Sequence, residues 1–99
     1  MRLCKTAPFR VRLPELDRCR LAIREFVAQI KAQEPDTRMY FSLERQTSPG
    51  EFIHVMEFMD AGAEERHRNT PWVKAFVSIL YPCTEGGVTF QDHRSAAST

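Results

Sequence analysis

The chain has 99 residues, 42% hydrophobic and 27% charged, with a formal net charge of +1. That length makes one domain with a real but small core, and so ordinary a composition excludes a disordered or membrane-embedded class. So small a net charge gives no global reason to expect nucleic acid, whose binding needs a clustered basic surface.

Met1 to Thr6 shows no clear pattern and reads as a lead-in, so a single 1–99 domain is expected with its core over about residues 8–94. Phe9, Val11 and Leu13 alternate with Arg10 and Arg12, the period of a strand with one apolar face. Pro8 can start that strand without costing a ladder bond. Pro14 then opens a helix, in which Leu16, Cys19, Ile23, Phe26, Val27 and Ile30 recur at helical spacing and Arg18, Arg20, Arg24, Glu25 and Lys31 lie mostly opposite. Glu34-Pro35-Asp36 ends it, because the residue before a proline avoids helical torsions.

Thr37 to Gln46 reads as a second strand, with Tyr40, Phe41 and Leu43 favouring β structure. Ser48-Pro49-Gly50-Glu51 places proline and glycine as a type II turn prefers, which makes an antiparallel hairpin with the stretch that follows. That stretch, Phe52 to Met59, is apolar on both sides: Phe52, His54, Met56 and Phe58 share one face, and Ile53, Val55, Glu57 and Met59 the other. Both faces therefore need cover. Asp60 can cap a short charged helical piece, Ala61 to Arg68. Asn69-Thr70-Pro71 interrupts it, with Thr70 as cap and Pro71 as first residue of a second piece carrying Trp72, Val73, Phe76, Val77 and Leu80 on one side. Tyr81-Pro82 ends this piece and Glu85-Gly86-Gly87 turns the chain. A last strand is expected at Val88 to Gln91, and the tail Ser95 to Thr99 is expected to fray.

The order β-α-β-β-α-β, with right-handed crossovers, gives an α+β class: a ferredoxin-like sandwich of four antiparallel strands with both helices on one face. The chain owns helices for one face of the sheet only. A second copy packed on the open face, as a two-fold homodimer, supplies the rest.

Cys4, Cys19 and Cys83 are far apart and odd in number, with no CxxC pair and no zinc-like Cys/His spacing, which favours a reduced chain without a metal site. Arg2 and Lys5 are followed by no apolar run of signal-peptide length, and no stretch could span a bilayer. A cytoplasmic protein, with neither membrane nor nucleic acid as partner, is the expectation.

At His67-Arg68-Asn69-Thr70-Pro71-Trp72 the chain resembles the antibiotic biosynthesis monooxygenase domains of the dimeric α+β barrel group. The resemblance runs from about Phe9 to His93. It rests on Glu34-Pro35-Asp36-Thr37 leading into the second strand, on the turn and strand from Pro49 to Glu57, and above all on His67-x-x-Thr70-Pro71 followed by an aromatic residue. It implies a dimer of ferredoxin-like subunits forming an α+β barrel, with a pocket between helices and sheet in each subunit. Several relatives oxidise quinols, anthrones or similar phenolic rings with molecular oxygen as co-substrate and without metal or flavin. Other relatives degrade haem, isomerise lactones or have no known reaction. The haem-degrading type uses an asparagine on the first strand, and this chain has none between Phe9 and Leu13.

His67 is the candidate base, since its ordinary pKa lies near neutrality; the bland alternative is a brace for the helix break. Trp72 either stacks on an aromatic ligand or fills the core. Asn69 orients a substrate carbonyl or, more commonly for its type, bonds the helix start. His54 lines the pocket or meets a partner in the dimer interface, and Tyr40 and Tyr81 are candidate donors to a phenolic ligand. Arg10 and Arg12 either pair with acids such as Glu44, Glu57 or Asp92 across that interface or bind an anionic group of a ligand; pairing is favoured, because an unpaired buried guanidinium is costly. A cofactor-independent monooxygenase acting on a small aromatic ligand is one functional reading. A non-catalytic dimer that binds a small ligand or has a structural role is the second, and haem binding or degradation, which the missing asparagine argues against, is the third.

Overall fold

A computed structural model describes residues 2–99; Met1, the first residue of the expected lead-in, lies outside the described residues. The elements in order are β1 (Leu3–Val11), α1 (Leu16–Gln33), β2 (Thr37–Glu44), β3 (Glu51–Phe58), α2 (Ala61–Arg68), α3 (Pro71–Leu80), β4 (Thr84–Glu85) and β5 (Gln91–His93). The sheet order is β2-β3-β1-β4, with β5 also paired to β1, and all pairings are antiparallel. This is the ferredoxin-like α+β arrangement.

The first strand begins earlier than its pattern suggested. Leu3 to Arg10 pairs with Phe58 to Glu51 in unbroken register, so the expected lead-in is ladder from Leu3 onward. Cys4-Lys5-Thr6 carries no apolar alternation; the partner strand, not local sequence, extends β1 there. The hairpin is as expected. Glu51 N–H donates to the Ser48 carbonyl at 3.1 Å, and Gly50 takes φ +88° at the position where a type II turn needs it.

The last strand departs from expectation. Val88 to Phe90 forms no ladder; β4 and β5 flank it, pairing with Arg10–Val11 and with Cys4–Thr6 of β1 respectively. Across from this gap Pro8 has no N–H to give, and Gly86 and Gly87 both sit at φ +77°. Residues 86–90 therefore bulge off the sheet edge.

Helices cover one face. From α1 Leu16, Cys19, Ala22, Ile23, Phe26 and Ile30 are buried, and they meet Phe9, Val11 and Phe52 of the sheet and Phe76 and Leu80 of α3. Ala7, Met56, Phe58 and Ala63 form a second cluster beside it. On the open face Phe41 and Leu43 are 55% and 53% exposed and Ile53 is 37% exposed. The register sets Phe41 beside Val55 and Leu43 beside Ile53, so they make one apolar strip.

The two arginines of β1 find partners within the subunit. Arg10 pairs with Glu51 at 3.3 Å. Arg12 donates to the Thr84 carbonyl at 3.2 Å and to the Pro82 carbonyl, tying β1 to the turn after α3. The acids expected to receive them are engaged elsewhere: Glu44 by Arg20 at 2.8 Å, Glu57 by Arg38 at 3.0 Å and Asp92 by Lys5 at 3.3 Å. Both arginines are exposed, so neither carries the burial cost that argued for an intersubunit acid.

Candidate functional site

A cavity of about 470 Å³ lies between the helices and the covered face of the sheet. Phe9, Met56 and Phe58 line it from the sheet, Phe26, Val73 and Phe76 from the helices. Val88 and Phe90 of the bulge and Tyr81 stand at its edge. Its lining is mainly apolar, the usual character of a small-molecule pocket, with Tyr40, His54 and His67 as polar members and Lys5, Glu64 and Arg68 as charged ones.

The His67 side chain is 8% exposed, and its Nδ1 lies 2.8 Å from Oε1 of Glu34, itself 8% exposed. A carboxylate only accepts, so the hydrogen between them is on Nδ1, and Nε2 is the nitrogen left to exchange a proton with a ligand. That is the arrangement a general base needs. Glu34 also accepts from Thr37 Oγ1 at 2.7 Å and from the Trp72 indole N–H at 2.5 Å. Burial acts to raise the Glu34 pKa, but the hydrogen bonds from His67, Thr37 and Trp72 outweigh it and hold the carboxyl below its ordinary range.

Local sequence explains these positions. Asp60 accepts from Ala63 N–H at 2.8 Å, and Thr70 Oγ1 accepts from Val73 N–H at 3.2 Å. The two caps fix where α2 and α3 start. The Thr70 hydroxyl also donates to the His67 carbonyl at 2.9 Å, so the break between the helices anchors the base. His67 thus sits at the last turn of α2, over the end of α1.

Trp72 does not line the main cavity. Its ring packs beside the core from the outer groove between α1 and α3, and its N–H secures Glu34. Asn69 is at the cavity edge, but its amide donates to the Glu65 carbonyl at 2.8 Å and so bonds the end of α2 rather than the start of a helix. Tyr81 is exposed at the mouth, where partial burial pushes its phenol up.

His54 faces the helices rather than the open side of the sheet and is 2% exposed. It lines the cavity with Nδ1 2.8 Å from the Tyr40 hydroxyl. Phe9 meets it edge-on, with centroids 4.9 Å apart, and Phe76 stacks on it at 6.0 Å. Burial pushes its pKa down to about 4, so the ring is neutral. Glu34 is the site residue that sequence reading did not assign a role in the site: it served there as a helix end and as part of the segment leading into β2, and 33 residues separate it from His67. Its one local signal was a carboxylate standing beside a proline stop.

Among the described residues no three His, Cys, Asp or Glu side chains gather as metal ligands, and no helix is long and apolar enough to cross a membrane.

No protein-family model matches the chain, and no curated protein does. Solved structures do match. A Caulobacter crescentus protein provisionally named an antibiotic biosynthesis monooxygenase aligns over 97% of this chain and 91% of its own, at TM-score 0.89 and 18% identity. A Bacteroides thetaiotaomicron protein with the same provisional name aligns over 97% and 90%, at TM-score 0.91 and 12% identity. A third structure, named an antibiotic biosynthesis monooxygenase, aligns over 96% and 99%, at TM-score 0.87 and 22% identity. At these identities the likeness is one of fold.

Proposed function

We propose that the chain is an oxygenase of the antibiotic biosynthesis monooxygenase type, which oxidises a small, electron-rich aromatic molecule with dioxygen as co-substrate and no bound cofactor. The observation that carries this reading is His67, bonded through Nδ1 to a buried, ionised Glu34 and set in the wall of an apolar cavity. The names of the structural neighbours agree with it.

His67 Nε2 takes a proton from a carbon or phenol made acidic by its aromatic ring. Glu34 stabilises the imidazolium that forms. The resulting anion passes one electron to dioxygen, and the radical pair collapses with formation of a carbon–oxygen bond. The imidazolium returns its proton to the peroxide. Where the reacting carbon is a methylene, loss of water then leaves a carbonyl. One oxygen atom stays in the product and the other leaves as water, so four electrons move from substrate to oxygen. Apolar walls supply the dry surroundings in which a developing anion feels the protein's dipoles most strongly.

The active form in this proposal is a homodimer, joined through the strip of Phe41, Leu43, Ile53 and Val55 on the open face of the sheet. An apolar strip across paired strands suits a self-complementary two-fold contact.

Oxygen uptake with a panel of quinols and anthrones tests the activity. The wild type is expected to turn over at least one of them about 100-fold faster than His67→Ala, the usual scale for a lost general base. Equal rates for the two proteins would leave the cavity as a binding site without chemistry.

A further inference from the structure

One residue of the cavity lining, His54, carries a buried polar atom that the protein does not satisfy. His54 is 2% exposed, and its Nε2 is shielded and has no hydrogen-bond partner among the described residues. Buried polar atoms are rarely left so, and leaving one costs about 1–3 kcal/mol. Around it stand Phe9, Phe76 and Tyr40, which offer it nothing at that nitrogen.

Its proton can be assigned. Among the described residues the one polar contact of the ring is Nδ1 to the Tyr40 hydroxyl at 2.8 Å. If Tyr40 donates, Nδ1 accepts and Nε2 carries the hydrogen, leaving a single orphan donor. If Nδ1 donates instead, both the phenol proton and the Nε2 lone pair are left without partners. The first arrangement leaves fewer groups unsatisfied. Burial pushes the Tyr40 phenol up and the His54 imidazole down, which keeps the tyrosine protonated and the histidine neutral.

The two histidines of the cavity thus use Nδ1 in opposite senses: His67 donates there to a carboxylate, and His54 accepts there from a phenol, which leaves its Nε2–H free. Tyr40 lies between them, its ring centroid 5.9 Å from His67 and 5.3 Å from His54.

We infer that His54 Nε2–H, held in that tautomer by Tyr40, is a specificity-determining donor that selects aromatic ligands bearing an acceptor oxygen, a carbonyl or the oxyanion made from one. The inference rests on the reading of this cavity as the ligand site, but not on oxygenation taking place there. His54 supplies the hydrogen bond on one side while His67 addresses the acidic hydrogen on the other. A site built around a buried donor rejects the analogue that lacks the matching acceptor, because the donor is then left unpaired.

The test is equilibrium dialysis of the full chain with 9-fluorenone and with fluorene, two probes of one shape that differ by the carbonyl oxygen. The wild type is expected to bind fluorenone about 10-fold tighter than fluorene, the scale of one hydrogen bond. In His54→Phe the two affinities converge, through a loss of fluorenone and not of fluorene binding. In Tyr40→Phe, which keeps the imidazole but frees its tautomer, the preference also falls. Nitrogen-15 spectra of the wild type check the assignment even if a variant does not fold: His54 should show its proton on Nε2. Equal binding of both probes by the wild type, or a proton on Nδ1, overturns the inference and leaves the proposed oxygenase standing. Binding of neither probe overturns the ligand-site reading, and this inference with it.

Discussion

Glu34 is the residue on which the candidate chemistry turns. Three donors converge on it, from His67, Thr37 and Trp72. In Glu34→Gln, whichever way the amide lies, its NH2 faces one of those donors. The variant is expected to lose the charge that stabilises the His67 imidazolium, lowering kcat by about 10-fold or more with little change in KM. It should also be less stable by about 1–3 kcal/mol, measured by urea denaturation, because buried donors lose their acceptor. A pH dependence follows from His54. Its pKa is about 4 in the folded protein against an ordinary 6.5, so below pH 6.5 the unfolded chain binds a proton that the folded one refuses. Stability is therefore full above about pH 6.5 and is lost as pH falls towards 4, by roughly 3 kcal/mol at 1.4 kcal/mol per unit. Glu34, whose pKa is lowered, adds a loss in the same direction at still lower pH. Urea midpoints across pH 4 to 7 check this, and His54→Phe should flatten the upper part of the curve.

Among the elements, the β2–β3 hairpin sets the site most directly, because its register places Tyr40 and His54 diagonally across from each other on one face. Its turn depends on Gly50. At φ +88° a side chain is strained, and a Cβ there would lie 2.7 Å from the Val11 carbonyl oxygen. The Gly50 carbonyl also accepts from Val11 N–H at 2.8 Å, and its N–H donates to Glu44 at 3.0 Å. Gly50→Ala is expected to destabilise by more than about 1 kcal/mol, read as a lower Tm. Caps at Asp60 and Thr70 were legible as residue types in the right places, and so was the break between α2 and α3. The split of the last strand was not. Val88 and Phe90 alternate well enough for a strand, but Pro8 on the neighbouring strand and two glycines at positive φ take that segment out of the ladder. Alternation reports which side chains can share a face; it carries no information about whether the neighbour can bond.

At the scale of the molecule, helices cover one side of the sheet and leave Phe41, Leu43 and Ile53 in solvent within a single subunit. The proposed dimer predicts that Phe41→Arg shifts the sedimentation coefficient to that of a monomer, by putting a charge into the centre of an apolar contact. A wild-type protein that sediments as a monomer at micromolar concentration would remove the dimer.

The sequence by itself determined the element order as far as α3, the α+β class, the faces of β3 and α1, the two helix caps and the hairpin turn. Each is written in spacing or in a residue's own torsional preference, over a few neighbouring positions. Tertiary structure alone decided that β1 starts at Leu3, that Arg10 and Arg12 bond within their own subunit, that Trp72 supports Glu34 from outside the cavity, and which nitrogen each histidine leaves free. These depend on hydrogen-bond partners on other elements of the chain, and such a partner is chosen by how the elements pair and pack, not by any local period.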